Sequence, residues 1–290
     1  MKGIEPLAII CKATFSITII FCPVVSHAEH NNEGEAIIVI GSSYVNGTTR
    51  IDDNFFGALN GLAVGSGAYL SLGDALVRDG KLNGLVVNEG AVGSTTFDRK
   101  SCLMYECLPG GRMLGFMSQF KNALKRVAIY DPMNPMTVAG YNASYAIIDI
   151  PNDCIHSDAF GQPQIVAMPC GIKDFEKSVD RIVKVINYAK YLGITPIVTL
   201  LPKYKDLNLS LVKRGLQLYW VIDEYSYTQF REIYQARIAE NSEGAIILDV
   251  WGERFTHRGD GIHPDRKTVR EAASRIANII NKRVFVKECG

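Results

Sequence analysis

The sequence predicts an α/β fold with a mainly parallel sheet of about five strands. Two observations carry this: short apolar runs rich in Val and Ile recur along the chain, and longer stretches of helical periodicity separate them. The expected strands are residues 36–40, 85–88, 145–150, 196–200 and 245–248. Each is apolar almost throughout, as strands covered by helices on both faces require. The expected helices are residues 66–77, 113–127, 175–192, 227–240 and 266–281. In the third of these, Val179, Ile182, Val183, Ile186 and Ala189 recur at three- and four-residue spacing and mark the face that packs on the sheet.

No internal repeat or low-complexity linker interrupts the chain, so one domain over residues 30–290 is expected. Residues 102–112 and 153–173, rich in Cys, Gly and Pro, read as loops. Residues 203–226 read as an insertion, whose Leu216, Leu218, Tyr219, Trp220 and Tyr225 either line a cleft or pack in the core.

Residues 1–28 read as a cleavable secretory signal. Lys2 and Lys12 precede an apolar run over residues 13–25, and Ser26-His27-Ala28 supplies small residues at both key positions of a cleavage site. The uninterrupted run falls short of the ~20 residues that span a bilayer, so no stable membrane anchor is expected after cleavage. Phe21 before Cys22 is too bulky for a lipoprotein site. Without the leader, basic and acidic residues balance, and the densest basic patch (Lys203, Lys205, Lys213, Arg214) is interrupted by Asp206. Nucleic acid is therefore not an expected partner, because its binding needs clustered cations. Of the seven cysteines, Cys102, Cys107, Cys154, Cys170 and Cys289 follow the leader. Export to an oxidising compartment favours pairing, with Cys102–Cys107 and Cys154–Cys170 the natural choices by proximity and Cys289 left over. Asn-x-Ser/Thr triplets stand at Asn46, Asn142 and Asn208. A glycan on Asn46 would cover Ser43, so the triplets read as accidental and the protein as bacterial, secreted or periplasmic.

In open parallel sheets ligands bind beyond the carboxyl ends of the strands, so chemistry is sought just after each strand. Ser43 follows the first strand in Gly41-Ser42-Ser43, where Gly41 permits a tight turn. A serine needs a base, and His263 lies in Asp260-Gly261-Ile262-His263-Pro264 before the last helix. There Asp260 can accept from Nδ1–H and leave Nε2 for the serine proton. Gly93 after the second strand can bring a backbone N–H to an oxyanion, Asn152 after the third can add a side-chain donor, and the Ser43 N–H a further one.

Taken together, Gly41 to Gly47, Asn88 to Gly93, Pro151 to Asp153 and Asp260 to Pro264 resemble, in order and spacing, the four blocks of the SGNH/GDSL hydrolase family. The resemblance implies a flavodoxin-like three-layer α/β/α sandwich and an ester hydrolase working through an acyl-serine. It implies Ser43, His263 and Asp260 as the triad, Ser43, Gly93 and Asn152 as the oxyanion hole, and no metal or organic cofactor. Two positions depart from the pattern: Ser42 stands where the family carries Asp, and Ile150 where it carries Gly. The β-branched Ile150 restricts the chain just before Asn152.

The expected substrate is a small-molecule or glycan ester, such as an O-acetyl group on a polysaccharide. The same triad would also suit an O-acyltransferase or a lipid esterase, and a binding protein without catalysis is the rival from another class. His156 reads as a substrate contact and His257 as a contact of the triad turn, with a plain loop residue the alternative for each. No His and Cys spacing suggests zinc, Glu89 and Asp98 lack the setting of a glycosidase pair, and Gly65-Ser66-Gly67 lacks the Lys-Ser/Thr of a phosphate loop.

Overall fold

The computed structural model describes residues 35–45, 49–50, 69–78, 82, 84–103, 106–157, 168–215, 217–241, 243–252 and 254–288. The expected leader, Cys289 and Leu216 lie outside the described residues. The chain from Asn32 onward forms one compact unit.

Its centre is a five-stranded parallel sheet made of β1 (Ala36–Ile40), β4 (Leu85–Asn88), β9 (Ala143–Ile148), β10 (Thr195–Thr199) and β11 (Ile246–Leu248). The spatial order is β11-β10-β9-β1-β4. Strand β1 lies inside the sheet between β9 and β4, and all five of its residues are buried. After β1 the chain steps one way to β4, then returns past β1 to β9, β10 and β11. Right-handed crossovers place the connecting helices of the two directions on opposite faces. Helix α1 (Leu72–Arg78) accordingly packs with the C-terminal helix α6 (Arg266–Glu288), while α2 (Phe116–Arg126), α3 (Ile172–Tyr191) and α5 (Glu224–Glu240) pack together. The fold is thus α/β, with helices flanking a parallel sheet. The reversal of strand order lies between β1 and β9, and the crevice beyond their carboxyl ends is where such sheets bind ligands.

The apolar stripe expected on the third helix is real: Val179, Ile182, Ile186 and Ala189 of α3 are fully buried. Phe175 at its start stacks on Phe230 of α5, with ring centroids 4.9 Å apart. Asp174 accepts the Gly171 N–H at 3.1 Å at the head of α3, and Asp223 accepts the Ser226 N–H at 2.8 Å at the head of α5.

Two expectations are corrected. Residues 102–112 are no loop: β5 (Arg99–Leu103) and β6 (Glu106–Met113) form an antiparallel ribbon in which Cys102 and Cys107 are register partners. A two-stranded ribbon leaves each strand one unpaired edge, which tolerates Pro109. This also moves the start of α2 beyond Met113. The helix expected over 66–77 starts only at Leu72, after β3 (Tyr69–Leu70) pairs with β2 (Thr49–Arg50). A further ribbon, β7 (Ala128–Asp131) with β8 (Asn134–Tyr141), was not foreseen, because its exposed residues show no clean alternation. The side chains of Cys102 and Cys107 lie outside the described residues, whereas Cys154 and Cys170 are disulfide-bonded as expected. The 203–226 segment contains a 3-10 turn (Tyr204–Asp206) and α4 (Leu209–Gly215). Leu218 is buried there, and Tyr219 and Tyr225 are exposed. Among the described residues no helix is long and apolar enough to cross a membrane.

Candidate active site

Ser43 lies in the turn that leaves β1. Gly41 opens that turn at φ +150°, and a Cβ there would come within 2.7 Å of the Asp149 Cβ, so only glycine lets the chain cross the end of β9. The turn is held from three sides. The Gln119 side chain of α2 bonds both the N–H and the carbonyl of Gly41 and donates to the Ser94 hydroxyl. Asn88, the last residue of β4, donates to the Val45 carbonyl at 2.7 Å and accepts from Gly90 N–H at 3.0 Å. The Ser42 hydroxyl accepts the Ser43 N–H at 2.5 Å. Ser42 therefore engages the N–H expected to serve an oxyanion.

The third block is tied to the second. The buried Asp153 carboxylate accepts from the Thr96 N–H at 2.7 Å and from the Thr96 hydroxyl, with Arg181 Nη1 at 3.4 Å. Burial raises the Asp153 carboxyl and these partners oppose the rise. Cys154, through its disulfide, anchors the same loop to the head of α3. His156 bridges to Val221, so the loop also zips onto the 220–222 segment. Burial, followed by the charges of His263 and Arg99, lowers the His156 imidazole to about 4. His156 is therefore a neutral neighbour of His263 at ordinary pH.

The last block is a closed loop. The Arg258 N–H donates to the His263 carbonyl at 2.9 Å, and His257 bridges to Pro264. Within it Asp260 Oδ1 accepts the Ile262 and His263 N–H groups at 3.0 and 2.9 Å. Asp260 Oδ2 stands 2.6 Å from His263 Nδ1 and 2.6 Å from Arg258 Nε. Burial alone would raise the Asp260 carboxyl. The charge and hydrogen bond of His263, the Arg258 charge and the Ile262 N–H outweigh it and hold the group far below the usual carboxylate range. Gly261, at φ +95°, lets the loop dock: a Cβ would lie 2.2 Å from the Asn208 carbonyl, while Asn208 N–H donates to the Gly261 carbonyl at 2.7 Å.

Tyr44 joins the two ends of the chain. Its hydroxyl donates to the Ile262 carbonyl at 2.6 Å, and its ring meets the His263 ring at 6.1 Å between centroids. Trp251, edge-on to Tyr44 at 5.2 Å, is itself tethered to Asp149. Ser43, Asn152 and Ile262 line one small cavity whose other walls include Ile150, Ile155, Leu201 and Leu207. The cavity measures about 20 Å³ on the scale where one water takes ~10–15 Å³. Gly93 lies in the turn after β4, where its carbonyl accepts from Arg99 Nη2 at 2.7 Å. Asp260 and His263 are thus in direct contact, Ser43 and Asn152 share a cavity with the residue before His263, and Gly93 is fixed through Arg99. Among the described residues no group of three or more His, Cys, Asp or Glu is placed to hold a metal ion.

No known protein-family description matches the sequence, and no curated protein matches it either. Solved structures do. A proposed arylesterase from Agrobacterium tumefaciens superimposes with a TM-score of 0.50 at 14% identity, covering 86% of this chain and 99% of that one. This chain shares the fold of that esterase, and its structural matches across most of the chain include SGNH/GDSL-type esterases and acylhydrolases. A carbohydrate acetylesterase from Sinorhizobium meliloti (14% identity) and an inhibitor-bound aryl esterase from M. smegmatis (16%) each give TM-scores of 0.49 with the same coverage. Within this SGNH/GDSL-type fold, several supports of the site carry no motif. Gln119, Tyr44 and Asp149 act through contacts distant in sequence and Arg258 through a carboxylate two residues on, and of these only Asp149, a lone acid closing an apolar strand, left a visible mark in the sequence.

Proposed function

We propose that the protein is an exported carboxylic ester hydrolase acting on esters of a small acyl group, with O-acetyl on a polysaccharide the substrate class favoured. The reading rests on one observation: the His263–Asp260 contact of 2.6 Å sits in the loop whose Ile262 lines the same cavity as Ser43 and Asn152. Ser43 Oγ attacks the ester carbonyl and His263 Nε2 takes its proton, while Asp260 fixes the imidazole by accepting from Nδ1. Asn152 and the Gly93 N–H bind the oxyanion, with the Ser43 N–H available once the Ser42 hydroxyl turns away. His263 returns the proton to the leaving alcohol, and a water then releases the acid from the acyl-Ser43. The small apolar cavity suits a methyl rather than a long chain. Leader cleavage after Ala28 and the Cys154–Cys170 disulfide favour a periplasmic or extracellular site of action.

The test is a panel of p-nitrophenyl esters of increasing chain length, with and without a sugar acceptor, on wild type and Ser43→Ala. Acetate is expected to turn over fastest, with kcat reduced on the order of 10³-fold or more in the variant. Equal turnover by Ser43→Ala would remove the nucleophile, and ester product formed on the sugar would convert the assignment to an acyltransferase.

A further inference from the structure

We propose that Arg258 is a positioning residue that shares one Asp260 carboxylate oxygen with His263 and so sets how strongly that carboxylate stabilises the imidazolium formed during the reaction. The inference rests on the ester hydrolase reading above. Its geometry is specific: Arg258 Nε and His263 Nδ1 lie at the same distance, 2.6 Å, from the same Asp260 oxygen. The other oxygen is filled by two backbone N–H groups of the same loop.

Two physical arguments favour a tuning role over a merely structural one. First, the loop is already closed by the Arg258 N–H to the His263 carbonyl, the His257–Pro264 bridge and both Oδ1 bonds, none of which uses the guanidinium. Second, Arg258 and Asp260 side chains are only 9% and 5% exposed, and Arg258 Nη1 is buried with no hydrogen-bond partner among the described residues. A buried pair with an unsatisfied donor is a poor way to gain stability, since desolvation offsets most of the attraction. What it does supply is a fixed positive charge that draws on the same carboxylate that must stabilise the imidazolium. A cation so placed disfavours a second positive charge on His263. The imidazolium, once formed, also gives up its proton to the leaving alcohol more readily. The other groups facing His263 do not do this: Tyr44 presents a neutral ring whose hydroxyl is spent on Ile262, and His156 is neutral at ordinary pH. The Arg99 charge acts on His156, and Arg99 Nη2 is bonded to the Gly93 carbonyl.

The experiment compares wild type, Arg258→Met and Arg258→Lys in two readouts: the pH profile of kcat/KM on p-nitrophenyl acetate, and the NMR titration of the His263 ring protons. Arg258→Met is expected to move the acid limb of the profile to higher pH, with the His263 ring signals following in the same direction, and Arg258→Lys to restore most of both. A uniform loss of kcat/KM at every pH, with the midpoint unmoved, would make Arg258 structural and overturn the proposal. The NMR arm separates the two readings: a moved midpoint in a protein with no Ser43-dependent hydrolysis refutes the esterase while keeping the Arg258 coupling. An unmoved midpoint in an active esterase does the reverse. Should Arg258→Met not fold, Arg258→Gln, which keeps hydrogen-bond donors and removes the charge, takes its place, and an acid limb unmoved from wild type overturns the proposal.

Discussion

Gln119 and Gly41 hold one another through both ends of one buried amide. The Gly41 N–H donates to Oε1 at 2.8 Å and Nε2 donates back to the Gly41 carbonyl at 3.1 Å, across 78 positions of sequence. Nε2 also reaches the Ser94 hydroxyl at 2.9 Å, so a single side chain fixes the turn carrying Ser43 relative to the turn carrying Gly93.

Gln119→Leu keeps the volume and removes the amide. It leaves the Gly41 N–H without its side-chain acceptor in a fully buried place, at a cost of roughly 2–3 kcal/mol. A lower urea midpoint and a lower kcat at nearly unchanged KM are expected, measured by denaturation followed by fluorescence and by ester kinetics. An unchanged midpoint would show that the clamp contributes nothing.

Asp260→Asn tests the orienting role of the carboxylate. The amide cannot accept equally from His263 Nδ1–H and Arg258, so the imidazole is held in the wrong tautomer. Loss of kcat on the order of 10³–10⁴-fold is expected, with the near-UV circular dichroism retained. A loss under about tenfold would detach Asp260 from catalysis.

The strands of the sheet were legible from their short apolar runs, unbroken in β1, which is covered on both faces, and interrupted in β9 by Ser144 and Tyr145 and in the edge strand β4 by Asn88. The Asp260–His263 contact was legible because three residues of tight turn are enough to close it. What sequence did not reveal are contacts made across the fold. Gln119 looks like any polar residue on an amphipathic helix until α2 is laid beside β1, and Arg258 looks like a solvated charge until the loop closes over it. The ribbons β5–β6 and β7–β8 also escaped, since strands outside the main sheet need no apolar alternation.

The Cys154–Cys170 disulfide closes a loop of 16 residues in sequence separation and starts two residues after Asn152. Chain entropy assigns such a bond ~3 kcal/mol. The double variant Cys154→Ser with Cys170→Ser is expected to lower the Tm by several degrees in a calorimetric scan. It should also raise KM more than it lowers kcat, because it loosens the Asn152 side of the cavity and leaves the Asp260–His263 loop intact. A Tm within a degree of wild type would mean that the Thr96–Asp153 contacts hold the loop without it.

Asp149 sets the pH dependence of stability. Its fully buried carboxyl accepts from the Thr199 hydroxyl at 2.7 Å and from Trp251 Nε1 at 3.2 Å, while Oδ2 has no partner among the described residues. Burial raises it from 3.8 to about 6, against the lowering by Thr199, Ile150 N–H and Trp251. The folded state therefore holds this proton more tightly than the unfolded chain does. Its contribution is fully present below pH 3.8, falls as pH rises through about 6, and is absent above, a loss of ~3 kcal/mol across the window. Asp149→Asn keeps the acceptor oxygen and never ionises. The variant should match wild type near pH 4 and exceed it above pH 7, a difference read from urea midpoints across that range. If the two proteins lose stability in parallel as pH rises, the carboxylate is solvated by water in the fold, and the tether it gives Trp251, and through Trp251 the ring of Tyr44, is not a buried charge at all.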